Sequence, residues 1–153
     1  MAIALGSNLG DRDAHLDYAV RHLCGQLAGC TVSSRYDTAP VDVVGEQGRF
    51  LNAALVGLTT LTPEALLDVL ERLEQERGRE RPYLNAPRTL DLDLVVYGDL
   101  VVETGRLTLP HPRFRDRLFV LEPLAEIAPD VIDPVTGLSI AVLLRNLVSR
   151  RRR

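Results

Sequence analysis

Along this chain apolar residues run in short blocks, alternate with polar ones, or return every three to four positions. These patterns divide it into strands and helices. Met1–Leu5 is an apolar block that predicts a strand, and Gly6–Asp11 (GSNLGD) reads as a turn into a helix. That helix is expected from about Asp11 to Leu27, with Leu16, Ala19, Val20, Leu23 and Leu27 on one stripe. Cys30–Thr38, rich in Thr, Val and Tyr, predicts a second strand; a loop, Ala39–Arg49, follows, and Phe50–Thr60 predicts a third strand. Thr62 is a natural N-cap with Pro63 at the first helical position, and Leu66, Leu67, Leu70 and Leu73 line the helix that follows up to Gly78. The polar loop Arg79–Arg88 leads to a strand from about Thr89 to Tyr97, which turns at Gly98-Asp99 and is expected to pair with Leu100–Thr104 as a hairpin. Leu118–Asp130 reads as a short helix ended by Pro129, and a last helix is expected over about Ser139 to Val148. This order implies one α+β sandwich over residues 1–153 rather than an alternating Rossmann unit, with no repeat or linker to divide it.

Composition narrows the function. Apolar residues at 46% and charged residues at 25% of 153 are ordinary for a folded domain. No apolar run approaches the roughly 18 residues of a membrane span, and no basic leader precedes the first strand, so a soluble cytoplasmic protein is expected. All 18 basic residues are arginine, which excludes a P-loop lysine or a Schiff base. Any phosphate must then be met by Arg, His, backbone N–H or metal. The net charge of −3 argues against a nucleic-acid binder. Cys24 and Cys30 read as free thiols, and Arg150–Arg153 as a frayed, solvated tail.

The stretch Arg88–Asp99 (RTLDLDLVVYGD) carries the sharpest chemistry. On a strand, Leu90, Leu92 and Leu94 share one face and Asp91 and Asp93 the other. Carboxylates at i and i+2 stand about 6–7 Å apart at Cβ, close enough to hold one Mg²⁺ or bracket two. Such a strand alone is equally an edge strand with a wet face. Arg88 beside the pair, and Arg79 and Arg81 in the preceding loop, supply guanidinium forks that suit phosphate oxygens. A second polar cluster follows: Arg106, His111 between two prolines, Arg113, Arg115 and Arg117.

Five segments together resemble the hydroxymethyl-dihydropterin pyrophosphokinase family: ALGSNLGDR, SSRYDTAPV, FLNAAL, PRTLDLDLVVYGD and LPHPRFRDRLFVLEPLAEIAPD, in order across nearly the whole chain. The resemblance implies a ferredoxin-like α+β sandwich, mainly an antiparallel sheet with helices on its faces. It implies transfer of a diphosphoryl group from ATP to the pterin hydroxymethyl, releasing AMP, in folate biosynthesis. By matched position, Asp91 and Asp93 are the ligands of Mg²⁺, expected as two ions, and Arg81 and Arg88 join them as catalytic residues. Thr38, Phe50, Asn52 and Phe119 match the pterin side, the two phenylalanines as the faces that sandwich the ring. Glu74, Arg81, Arg88, Arg106, Thr108, His111 and Arg117 match the ATP side. The implied partners are these two small molecules, without nucleic acid or membrane, and the implied state is a monomer. The loops Ala39–Arg49 and Arg79–Arg88 are candidate lids over ATP. The chain departs from the family pattern in PYLNAPRT, where a tryptophan or a further basic residue is usual before the PRT; Tyr83 or Leu84 replaces that packing.

The residues by themselves agree with this reading. A flat heteroaromatic ring needs two π faces and a few polar groups at its edge. Two of only three Phe fall at the stacking positions, and Asn52, two residues after Phe50, shares its strand face. A two-metal nuclease would also use paired aspartates but would want more carboxylates and a basic groove. A nucleotide- or RNA-binding module would use the arginines but leave the aspartates and the Phe50–Asn52 pair without a role.

Overall fold

The computed structural model describes residues 1–40, 47–78 and 89–152. Its strands are β1 (Ala2–Ser7), β2 (Ala28–Val32), β3 (Tyr36–Thr38), β4 (Phe50–Leu58), β5 (Asp91–Val96), β6 (Val102–Glu103) and β7 (Thr108–Leu109). Its helices are α1 (Arg12–Cys24), α2 (Pro63–Glu76), α3 (Leu118–Ile127) and α4 (Ile140–Arg151). The main sheet runs β2-β4-β1-β5, antiparallel at every pairing, with β3 alongside the start of β4. This is the α+β sandwich the sequence predicts.

Strand alternation builds two cores. Ile3, Leu5, Leu51, Leu55, Leu92 and Leu94 point to one face, where Leu16, Ala19 and Leu23 of α1 and Leu66, Leu70 and Leu73 of α2 cover them. Ala2, Ala4 and Ala54 point to the other, beneath Val120, Leu121 and Leu124 of α3 and Ile140, Leu143 and Leu147 of α4. Each fully buried leucine contributes about 2 kcal/mol of transfer free energy, so both helical layers are firmly seated. The caps agree with the sequence: Asp11 accepts from the Ala14 N–H at 3.0 Å and Thr62 from the Ala65 N–H at 3.2 Å.

Several expectations change. The first helix stops at Gly25, whose N–H closes on the Arg21 carbonyl, so Leu27 lies beyond it. Cys30–Thr38 is not one strand: the chain breaks at 33–35, where the Ser33 hydroxyl takes over a ladder bond by accepting the Ala54 N–H at 2.9 Å. The hairpin between β5 and Leu100–Thr104 does not form. β5 is covered on both faces and pairs with central β1, while β6 pairs with β7. The basic tail is not frayed at its start. Arg150 and Arg151 belong to α4, and Arg151 donates to the Asp116 carbonyl at 3.0 Å. Cys24 and Cys30 are not free thiols but a disulfide, because the turn from α1 into β2 brings their Cα atoms to 5.3 Å.

Candidate functional site

The register of the sheet assembles the site. Residues directly opposite one another across antiparallel strands point to the same face. Tyr36 lies opposite Asn52, Asn52 opposite Gly6, and Gly6 opposite Asp91, which makes one row across four strands. The next row inward is Ala54, Ala4 and Asp93. The next row outward is Thr38 and Phe50. All of these share the face covered by α3 and α4, but the inner rows are roofed by the helices while the outer ones lie at the sheet's end. Phe50, Asn52, Asp91 and Asp93, read from separate segments, thus meet on one surface.

Asn52 is buried and its orientation is fixed, its side-chain N–H donating to Thr38 Oγ1 at 2.6 Å. Gly6, which the sequence pattern assigned to a turn, is a strand residue at the middle of the row. A Cβ there would come within 3.1 Å of Asn52 Oδ1 and 3.8 Å of Phe50 Cδ1. The glycine keeps the floor low between the amide and Asp91. A glycine inside an otherwise apolar strand is the signal that would have marked this close approach.

Asp91 and Asp93 are half-buried at the start of β5. Carboxylate oxygens are the donors a hard divalent cation prefers, and Mg²⁺ needs only one or two from protein when water and phosphates complete its shell. The pair fits that ion. Among the described residues no larger group of His, Cys, Asp and Glu converges as a closed metal cage.

His111 is docked on the outer edge of β5, where its N–H donates to the Val95 carbonyl at 2.8 Å after the cis Leu109–Pro110 peptide. Burial, helped by Arg117 and Arg113 and opposed by Asp91, lowers its pKa to about 4, so the ring is neutral near physiological pH. Its Nδ1 accepts the Arg113 N–H at 3.2 Å, which puts the ring proton on Nε2. Arg117 stands just before α3 with its guanidinium 5.4 Å from the Phe119 ring centroid, and Phe119 is half-buried. The His111 ring is within electrostatic reach of Asp91 and of Arg117, and Arg117 in turn lies against Phe119, which links these three side chains to the aspartates. Phe114, the remaining phenylalanine, is fully buried in the core.

Other predicted residues take supporting positions. Glu74 is buried and its carboxylate accepts the Leu92 N–H at 3.0 Å, fastening the edge of β5 to α2 between the two aspartates. Arg106 is exposed and paired with Asp68 and Glu71 on α2, at 3.1 Å from the latter. Thr108 is half-buried in β7. Arg81 and Arg88, with Arg79, Tyr83, Leu84 and the whole proposed lid Arg79–Arg88, lie outside the described residues, as do positions 41–46 of the other lid. The ends of that second loop are tied down. Arg12 and Arg49 both bind Asp37, at 3.2 and 2.7 Å, and hold its carboxyl below the usual range.

Sequence reasoning missed two polar braces around the site. Arg115, between His111 and Arg117, is locked to fully buried Asp133 by bonds of 2.5 and 2.8 Å. Glu126 of α3 accepts from Tyr36 Oη at 2.6 Å and from the Ser34 N–H at 2.8 Å, and also from the Ser34 hydroxyl. Both are single charges remote in sequence from their partners, so no local pattern announces them.

Residues 2–129 match the family model described as 7,8-dihydro-6-hydroxymethylpterin-pyrophosphokinase. A Bacillus subtilis 2-amino-4-hydroxy-6-hydroxymethyldihydropteridine pyrophosphokinase is 47% identical over 138 residues, covering 88% of this chain and 81% of that protein. A Synechocystis protein of the same name is 40% identical, covering 95% of this chain and 74% of its own length. An Arabidopsis thaliana mitochondrial folate synthesis bifunctional protein is 41% identical over 87% of this chain, which spans only 24% of that longer protein. Among solved structures, wild-type Plasmodium falciparum HPPK-DHPS superposes with a TM-score of 0.73 at 14% identity, over 99% of this chain and 41% of that one. At that identity the likeness shows the fold.

Proposed function

The chain belongs to the 7,8-dihydro-6-hydroxymethylpterin-pyrophosphokinase family, and from that premise we propose how its residues divide the work of the reaction. The protein is an ATP-dependent diphosphotransferase of folate biosynthesis acting on small-molecule substrates. Among the described residues no helix is long and apolar enough to cross a membrane. We take the working unit to be a single-domain cytoplasmic monomer.

One observation carries the assignment of residues: the cross-strand row that sets Asn52, Gly6 and Asp91 side by side on one face. It joins a place for a flat ring to a place for charged phosphate. The pterin ring lies between Phe50 and Phe119 over the Gly6 floor. Asn52, held by Thr38, reads the ring's polar edge. The ring's hydroxymethyl then points along the row toward the carboxylates.

The hydroxymethyl oxygen attacks the β-phosphorus of ATP as the bond from that phosphorus to the bridging oxygen of the α-phosphate breaks, and AMP leaves. The alcohol is a weak nucleophile, so positioning and charge neutralisation supply most of the acceleration. Asp91 and Asp93 would hold Mg²⁺, taken as two ions, whose chemistry when bound is to neutralise the triphosphate and lower the pKa of the attacking hydroxyl. Neutral His111 donates its Nε2–H to a phosphate oxygen without adding a cation, and Arg117 offers a fixed charge. Arg81 and Arg88, by their matched positions, bind the transferred and leaving phosphates, with Glu74, Arg106 and Thr108 shaping the ATP side.

The test is product analysis. The protein is incubated with ATP, Mg²⁺ and 6-hydroxymethyl-7,8-dihydropterin, and nucleotides are separated over time. AMP should appear in step with pterin consumed. ADP as the product, or AMP released without pterin, would overturn the reading.

A further inference from the structure

We infer that Glu126 is a positioning residue for the pterin: its carboxylate clamps β3 to α3 and so sets the gap between Phe119 and the Phe50–Asn52 wall. The inference rests on the proposed pterin site and adds a residue to it.

Three observations converge on the clamp. First, one carboxylate serves three donors. Glu126 Oε1 accepts from Tyr36 Oη at 2.6 Å and from the Ser34 hydroxyl, while Oε2 accepts from the Ser34 N–H at 2.8 Å. These bonds hold the Glu126 carboxyl below its ordinary pKa, and they raise that of Tyr36, so the acceptor is charged and the donor protonated near neutrality. Such a set at an exposed position is more than a surface charge needs for solubility.

Second, the strand it fastens is short, and its other face is held separately, by Arg12 and Arg49 on Asp37. β3 is three residues long, pairs among the described residues with β4 alone, and follows the break at Ser33–Arg35. Its last residue, Thr38, is the one that fixes the Asn52 amide, at 2.6 Å. Tyr36 and Thr38 share a strand face, so a clamp on Tyr36 also constrains Thr38.

Third, α3 carries the opposite wall. Phe119 precedes Glu126 by seven residues on the same helix, two turns that return to the same side. Glu126 thus ties the helix bearing one ring face to the strand whose threonine aims the amide. The separation of the two walls follows from this tie as well as from the packing of α3 on β4.

A brace that merely stiffens the sheet edge would affect both substrates alike or neither. The clamp bears first on the pterin, since His111, on the ATP side, is docked on Val95 of β5 rather than on β3 or α3. The experiment compares full-length Glu126→Gln and Tyr36→Phe with the parent. It measures Kd for 6-hydroxymethylpterin by its fluorescence and Kd for a non-hydrolysable ATP analogue with Mg²⁺ by calorimetry. Gln can keep an acceptor on the Ser34 N–H only by turning its N–H₂ to the two hydroxyls, so the carboxylate's charge-assisted bonds are lost. Its pterin Kd should therefore rise about tenfold, with a smaller rise for Tyr36→Phe, as expected for losing charge-assisted bonds. The ATP-analogue Kd should stay within about twofold. An unchanged pterin Kd in Glu126→Gln, or an equal rise for both ligands, overturns the inference. Phe119→Ala separates this from the site assignment. If Phe119→Ala weakens pterin binding while Glu126→Gln does not, the clamp alone fails. If neither does, the pterin site itself has been misplaced and the clamp falls with it.

Discussion

Asp133→Asn should destabilise the protein near neutrality and cease to matter in strong acid. The Asp133 side chain is fully buried, and it accepts from Arg115 Nε at 2.5 Å and Nη2 at 2.8 Å, from the Thr136 hydroxyl at 2.7 Å and from the Val135 N–H at 3.1 Å. Burial pushes its carboxyl up, but the hydrogen bonds from Arg115, Thr136 and Val135 outweigh it and hold the pKa at about 2, against an ordinary 3.8. The folded value is the lower one, so the contribution is complete above about pH 4 and is lost as pH falls through about 2. The gap between the two values corresponds to about 2 kcal/mol. With a urea slope of roughly 1–3 kcal/mol per molar, the variant's midpoint near pH 7 should fall by about 1 M. Urea titrations of parent and variant at several pH values down to about 2 would show the two midpoints converging in acid. An equal midpoint near neutrality, or a gap that persists unchanged at the lowest pH, would refute the assignment of this carboxylate as an ionised buried partner.

Other outcomes follow from the site. Gly6→Ala places a methyl 3.1 Å from Asn52 Oδ1, so the KM for pterin should rise several-fold while that for ATP and the melting temperature barely move. His111→Ala removes the neutral Nε2–H donor and should raise the KM for ATP by about tenfold with the pterin KM unchanged, as initial rates at varied ATP would show. Removal of divalent ions with EDTA should stop AMP formation, and added Mg²⁺ should restore it; a rate indifferent to EDTA would rule out the carboxylates as metal ligands.

The fold was readable wherever one pattern dominated. Leu66, Leu70 and Leu73 at helical spacing, and Thr62-Pro63 ahead of them, placed α2 correctly. Alternation of Leu90–Leu94 with Asp91 and Asp93 gave β5 its two faces. The hairpin after β5 failed because short apolar runs do not say which strand they pair with, and burial on both faces favoured β1. The disulfide was missed because spacing alone does not reveal that Cys24 and Cys30 lie across one turn. At the site, segment motifs singled out Phe50, Asn52, Asp91 and Asp93 as candidates, but not the row that unites them, since register is a property of pairing. Gly6, Glu126, Arg115 and Asp133 act through partners distant in sequence, where periodicity carries no information.

The central claim is that Asp91 and Asp93 form the metal shelf at which the two substrates meet, and Asp93→Asn tests it most directly. The substitution is nearly isosteric on a half-exposed face, so circular dichroism and the unfolding midpoint should match the parent. Turnover per folded molecule, measured as AMP formed with saturating ATP, Mg²⁺ and pterin, should fall on the order of a hundredfold or more. Parent-like turnover in the folded variant would contradict the account, and so would a loss of activity that merely tracks the fraction unfolded.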